Sequence, residues 1–255
     1  MTENQSVQPS ILRNDKIEMA SCVKFLKSHK VEVESRDIIE IEKIDYDLRT
    51  ALIAFLPENA LDEVVAMLQK YSIHLWIVAR INGGKYPYRM FKYGDCSNPH
   101  IICIKKDLDK DWFLYIFLHE YALLLNKMTF LKSPYLNHEF YFCLNELICD
   151  FVKKNILSKD CLSLCLKELK YYYFSLYQQL NGEDKDWEPC EYQEKIRQFV
   201  PSEFILKKFK IGSQFKYKGE IFVRGKRQQC SKLLDGTIFR LKLDTLVEPV
   251  LDLCW

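Results

Sequence analysis

The sequence predicts an α+β protein, and three stretches carry that expectation. Two short runs of strand type, residues 73–79 (IHLWIVA) and 99–104, precede a strongly apolar helical segment. Further runs at helical spacing reach to about residue 180. From residue 212 to 255 the chain is rich in Phe, Val and Ile and is punctuated by Lys218-Gly219, Arg224-Gly225 and Asp235-Gly236. That punctuation is the spacing of short hairpins.

In chain order, residues 1–15 read as a loose tail and 16–29 as a short helix. Residues 31–47 are charged, with apolar positions at Ile38, Ile39, Ile41 and Ile44, and have no assigned role. Pro57 suits a first helical turn, and Leu61, Val64, Val65 and Leu68 then recur at helical spacing. Asn82-Gly83-Gly84 is a turn. A helix opens between Asp107 and Asp111 and runs to about Asn126. Past Pro134, helices are expected over 139–155, 159–180 and, after the break at 181–184, 190–199. Pro201 marks a boundary. The expected organisation is an N-terminal extension (1–55), a main domain (56–200) and a small β module (201–255).

The chain of 255 residues, 48% of them hydrophobic, is long enough to bury a sizeable core. A net charge of +2 gives no global electrostatic case for nucleic acid. The ten cysteines include no CxxC pair; most are expected to be reduced, buried thiols, and a helix would put Cys161 and Cys165 on one face. The first fifteen residues lack an apolar signal core. The longest apolar run, 112–125, is too short for a membrane span and carries His119 and Glu120. A cytoplasmic protein with no membrane partner is expected. No P-loop, GxGxxG or GxSxG is present, and no cysteine sits in a nucleophile context.

The string Phe117-Leu118-His119-Glu120-Tyr121-Ala122-Leu123-Leu124 bears on chemistry. Zinc peptidases place two histidines four apart on a helix so that both rings face one metal, with a glutamate beside the metal-bound water. Here Leu123 stands where the second histidine would be. A lone histidine on an apolar helix is otherwise an ordinary hydrogen-bonded core residue. Asn145-Glu146-Leu147-Ile148-Cys149-Asp150 resembles the ligand helix of thermolysin-like zincins, or is the solvated face of an amphipathic helix.

The order of motifs resembles the SprT-like family of zinc metallopeptidase-like domains. The matching residues are Leu56-Pro57, the helix to Tyr71, the strand from Ile73, Gly84-Lys85-Tyr86-Pro87-Tyr88-Arg89, Ile101-Ile102, Asp107-Leu108 and His119-Glu120-Tyr121-Ala122. Asn137-His138-Glu139-Phe140 and the glycine-led tail at Gly212-Ser213-Gln214-Phe215 complete the match. The resemblance covers about residues 56–255. It implies a zincin-like half made of helices and a small sheet, a helical segment and a C-terminal β module. It also implies zinc held by His119 and His138, with Glu120 as general base. Departures are Leu123 for a ligand, Asn137 for a proline and Glu139 for a glycine. Zinc binding is accordingly expected to be weak or absent, with Glu139, Glu146 or water as substitutes for the lost ligand.

The tail carries Lys207, Lys208, Lys210, Lys216, Lys218, Arg224, Lys226 and Arg227, interleaved with Phe209, Phe215, Tyr217 and Phe222. Such a module either binds single-stranded nucleic acid by phosphate contact and stacking or is a solvated sheet over an aromatic core. Arg224, Lys226 and Arg227 are the expected nucleic-acid contacts, exposed in a turn. The resemblance makes DNA a candidate partner. The functional expectation is a pseudo-peptidase with a degenerate active site that binds protein, peptide or nucleic acid. The alternatives are a weak zinc protease and a metal-free interaction module.

Overall fold

The computed structural model describes residues 48–71, 73–78, 88–92, 100–106, 108–131, 138–162, 188–197 and 200–251. The helix expected over 16–29, the segment 31–47, the turn at 82–84, most of the helix expected over 159–180 and the break at 181–184 lie outside them. The class is α+β, and the chain divides into two compact units, Met1–Glu120 with Cys254–Trp255 and Tyr121–Leu253.

In the first unit, α1 (Leu48–Leu52) leads through a 3-10 turn (Glu58–Ala60) into α2 (Leu61–Lys70). Pro57 stands immediately before that turn, where a fixed φ helps and a missing N–H costs nothing. Leu61, Val64, Met67 and Leu68 form the buried face of α2. Strands β1 (His74–Val78), β2 (Tyr88–Lys92) and β3 (His100–Lys105) form a sheet in the order β1-β3-β2. β1 runs parallel to β3, with Leu75 beside Ile102 and Ile77 beside Ile104, and all four are buried. β2 runs antiparallel on the other side of β3.

Helix α3 (Lys110–Thr129) starts in this unit. Asp109 Oδ1 accepts the Trp112 N–H at 2.8 Å, an aspartate cap for the first turn. Every residue from 113 to 126 is buried. That is why the segment reads as apolar on all sides: it is a core helix. Among the described residues no helix is long and apolar enough to cross a membrane.

The second unit holds the C-terminal part of α3, then α4 (His138–Lys153), α5 (Pro189–Arg197) and strands β4 (Phe204–Ile205), β5 (Gln214–Tyr217), β6 (Glu220–Arg224), β7 (Gln229–Lys232), β8 (Ile238–Arg240) and β9 (Leu246–Pro249). The strands form an antiparallel sheet in the order β4-β9-β5-β6-β7-β8. The expected small sheet of hairpins is therefore present. Lys218 and Gly219 both take positive φ (50° and 82°), the two-residue turn whose twist matches paired strands. At the β7–β8 turn Asp235 Oδ1 accepts the Thr237 N–H at 2.9 Å.

Seven phenylalanines run from α4 to the last strand of the sheet without a gap. Phe142 meets Phe204 at 5.4 Å between ring centroids, Phe204 meets Phe130 at 5.3 Å, and Phe130 meets Phe209 at 5.0 Å. The series continues through Phe215 at 6.0 Å, Phe222 at 5.8 Å and Phe239 at 5.4 Å. A helix ends with carbonyls that have no partner inside it. At the end of α3, Lys210 Nζ donates to Lys127 O, and Lys210 N and Ser213 Oγ both reach Thr129 O at 2.9 Å. The segment leading into β5 thus caps α3, and the lysine charge suits the negative end of the helix.

Candidate functional site

His119 and Glu120 sit in the middle of α3 and are only 4% and 2% exposed. Neighbouring residues on a helix point about 100° apart and do not ordinarily touch. Here His119 Nδ1 lies 3.3 Å from Glu120 Oε1, so the two side chains turn toward each other. A carboxyl group taken so far from water needs a hydrogen-bond partner, and the imidazole nitrogen provides one, with the tautomer deciding which group donates. Leu123, one turn on, is buried as well.

His138 is the first residue of α4 and is exposed. Glu139 beside it is buried, and its carboxylate accepts from Lys208 Nζ at 2.6 Å. That places a negative charge in the first turn of α4, where the helix dipole favours it. Lys208 also lies 5.8 Å from the centre of the Phe204 ring. Glu139, a candidate substitute ligand, is therefore held by a lysine.

The string from Asn145 to Asp150 faces α5 as well as solvent. Tyr192 donates its hydroxyl to Asn145 Oδ1, and Lys153 Nζ reaches Gln193 Oε1 at 2.8 Å. Glu146 is half-buried among Arg197, Lys153 and Asp150. Burial, the largest influence, raises its pKa; Arg197 and Lys153 pull it down and Asp150 pushes it up. Burial also pushes the neighbouring Cys149 thiol up to about 12 and raises that of Cys143. Neither thiol has the ionised character of a nucleophile. Cys143, Cys149, Cys190 and Cys230 are free thiols.

The raised Glu146 pKa has a consequence for stability. The folded protein keeps a proton on this carboxyl at a pH where the unfolded chain has released it. Stability from this group is therefore lost as pH rises from the ordinary carboxylate range through the raised value. Glu146→Gln is expected to raise the unfolding temperature by a few degrees at pH 7 and to change it little at pH 4. Equal unfolding temperatures at pH 7 would show that Arg197 and Lys153 outweigh the burial.

Arg224 corrects the expectation of three exposed basic contacts. It is 7% exposed, on the same side of β6 as buried Phe222 and opposite buried Cys230. Its Nη1 donates to Gly225 O at 2.7 Å, while its buried Nε has no hydrogen-bond partner. The reason is strand alternation: two residues from an inward phenylalanine, a side chain points inward. Lys226 and Arg227 are exposed as expected. Lys208 and Lys210 have the structural roles given above. Phe209, Phe215 and Phe222 are buried in the aromatic series, which removes them as platforms for stacking bases.

The site residues are thus distributed as follows. His119 and Glu120 touch each other, Glu139 pairs with Lys208, Glu146 belongs to the seam between α4 and α5, and Arg224 is interior. Among the described residues no group of three or more His, Cys, Asp or Glu side chains is arranged to hold a metal ion. The Glu139–Lys208 and Asn145–Tyr192 pairs had no signal in the sequence, because 69 and 47 positions separate the partners. Comparison with family models, with curated proteins and with solved structures finds no match to this chain.

Proposed function

We propose that this chain is a SprT-like pseudo-peptidase, a zincin-derived domain that binds a partner rather than cleaving it. The observation that carries the reading is the His119–Glu120 pair, buried and in mutual contact on an apolar helix, with Leu123 at the position of the second histidine. Catalytic zinc uses three protein ligands and keeps one position for water. By the resemblance His119 and His138 would be two, Leu123 is none, Glu139 is held by Lys208, and Glu146 lies among Arg197 and Lys153. The donor set does not fit a resident catalytic zinc, so no catalytic step runs through one. The partners in this reading are a protein or peptide, and DNA through Lys226 and Arg227 in the β module. The compartment is the cytoplasm.

The test is metal content and peptidase activity of the purified chain beside Leu123→His. The parent is expected to show no chelator-sensitive proteolysis. Leu123→His should raise zinc occupancy, at a cost of about 1–3 kcal/mol for a polar ring in a buried position. Any activity it gains should disappear when Glu120→Gln is added, because that glutamate would take the proton from water. Robust proteolysis by the parent, lost in Glu120→Gln, would overturn the reading.

A further inference from the structure

We propose that the free edge of strand β8 takes up an extended protein segment in which every second residue, along one face, reads acidic, acidic, apolar. The proposal stands on the β module alone and is independent of the pseudo-peptidase reading. β8 is the last strand of the sheet, and among the described residues nothing pairs with its outer side. Lys232 N donates to Thr237 O at 2.8 Å and Leu241 N donates to Gln228 O at 2.9 Å. In an antiparallel pair the residues that bond across the ladder alternate. Thr237, Phe239 and Leu241 therefore face β7, and Ile238 and Arg240 present their N–H and C=O groups outward.

The side chains around this edge are sorted by chemistry. Ile238 is 69% exposed and shares the outer face of the sheet with Ile221 and Leu233, while Leu234 at the turn is 86% exposed. Toward the other end stand Arg240 and Lys242, both exposed, with exposed Lys226 and Arg227 in the turn that precedes Gln228. At the apolar end Glu220 and Asp235 share the one ammonium of Lys232, at 2.6 and 4.0 Å, so one net negative charge remains there and favours an apolar residue over an acidic one. Uncovered edges usually pair or are blunted by charge. Here the net positive charge is confined to one end, which leaves the apolar end open.

A strand added antiparallel would place an apolar residue against Ile238 and carboxylates against Arg240 and Lys242. Main-chain bonds would supply affinity, and alternate side chains would supply selectivity. A second copy of this chain fits less well. Two β8 strands paired about Phe239 would set Ile238 of each against Arg240 of the other. Nucleic acid would engage the basic turn without using the strand edge.

The experiment uses the full chain and two labelled octapeptides, one of sequence Thr-Glu-Thr-Glu-Thr-Val-Thr-Thr, whose one face reads glutamate, glutamate, valine, and one with lysine in place of both glutamates, followed by fluorescence anisotropy. The glutamate peptide is expected to bind and the lysine peptide not to. Ile238→Pro removes an outward N–H while leaving the ladder to β7 intact. It should weaken binding at least tenfold with the unfolding temperature unchanged. The double variant Arg240→Glu, Lys242→Glu should reverse the preference between peptides, which keeps the test decisive if the proline variant fails to fold. Amide exchange at Ile238 and Arg240 should slow when the glutamate peptide is added. Failure of both peptides to bind would overturn the proposal. So would binding unaffected by Ile238→Pro, or an edge occupied by self-association. A single-stranded oligonucleotide that binds with steep salt dependence and blocks the glutamate peptide, but is indifferent to Ile238→Pro, would assign the surface to nucleic acid instead.

Discussion

Phe130→Ala is expected to destabilise the second unit by about 3–5 kcal/mol, the usual cost of removing a fully buried phenylalanine. Phe130 follows the last residue of α3 and lies within 5.3 Å of Phe204 and 5.0 Å of Phe209, ring to ring. It also makes an antiparallel backbone bridge with Phe209, so the main chain is held in place on both sides of the ring. A site fixed in this way cannot collapse to fill the space, and incomplete collapse is what makes such a cavity expensive. Urea unfolding followed by circular dichroism should show the loss as a lowered midpoint, with Phe130→Leu retaining more than half of the stability. A loss under about 1 kcal/mol would mean that the aromatic series repacks freely, against the close packing expected of a protein interior.

Lys208→Met is expected to cost about 1–3 kcal/mol. Breaking a fully buried ion pair costs about 3–5 kcal/mol, because the remaining charge is stranded. Lys208 is less buried than that: its side chain is 42% exposed against 10% for Glu139, so water screens part of the interaction. The loss comes mainly from the carboxylate left behind. Adding Glu139→Gln to Lys208→Met should therefore recover most of it, and a double-mutant cycle measures the recovery. Added zinc is expected to leave Lys208→Met unchanged. A zinc-dependent rescue of that variant would show Glu139 acting as a ligand and would reopen the protease reading.

Where local pattern decides the structure, the sequence was readable. The helices follow from spacing and from Pro57, and the hairpins follow from Lys218-Gly219 and Asp235-Gly236. β2 was not expected as a strand. Tyr88 to Lys92 mixes polar and apolar residues, and what makes it a strand is the partner it finds in β3, with Tyr88 opposite Ile104 and Lys92 opposite His100. The glycine after Arg224 reads as a turn signal, although strand alternation from Phe222 points the arginine inward. The aromatic residues of the tail left two readings open, and burial of Phe209, Phe215 and Phe222 decides for the core. In the candidate site, the His119–Glu120 contact joins adjacent residues and was within reach of the motif. The lysine holding Glu139 was not, since nothing at position 208 refers to position 139.

The position of β9 bears on how the protein can be made. It is the last strand of the sheet in sequence, yet it lies between β4 and β5. Ribosomal synthesis delivers β4 to β8 before the strand that joins β4 to the rest. Until β9 emerges, β4 and the facing edge of β5 have no neighbour, and Phe204 lacks its partner Val247. Domains generally fold as units during synthesis. The second unit must therefore wait for residues 246–249, and throughout that interval the edges of β4 and β5 stay open to pairing with other chains.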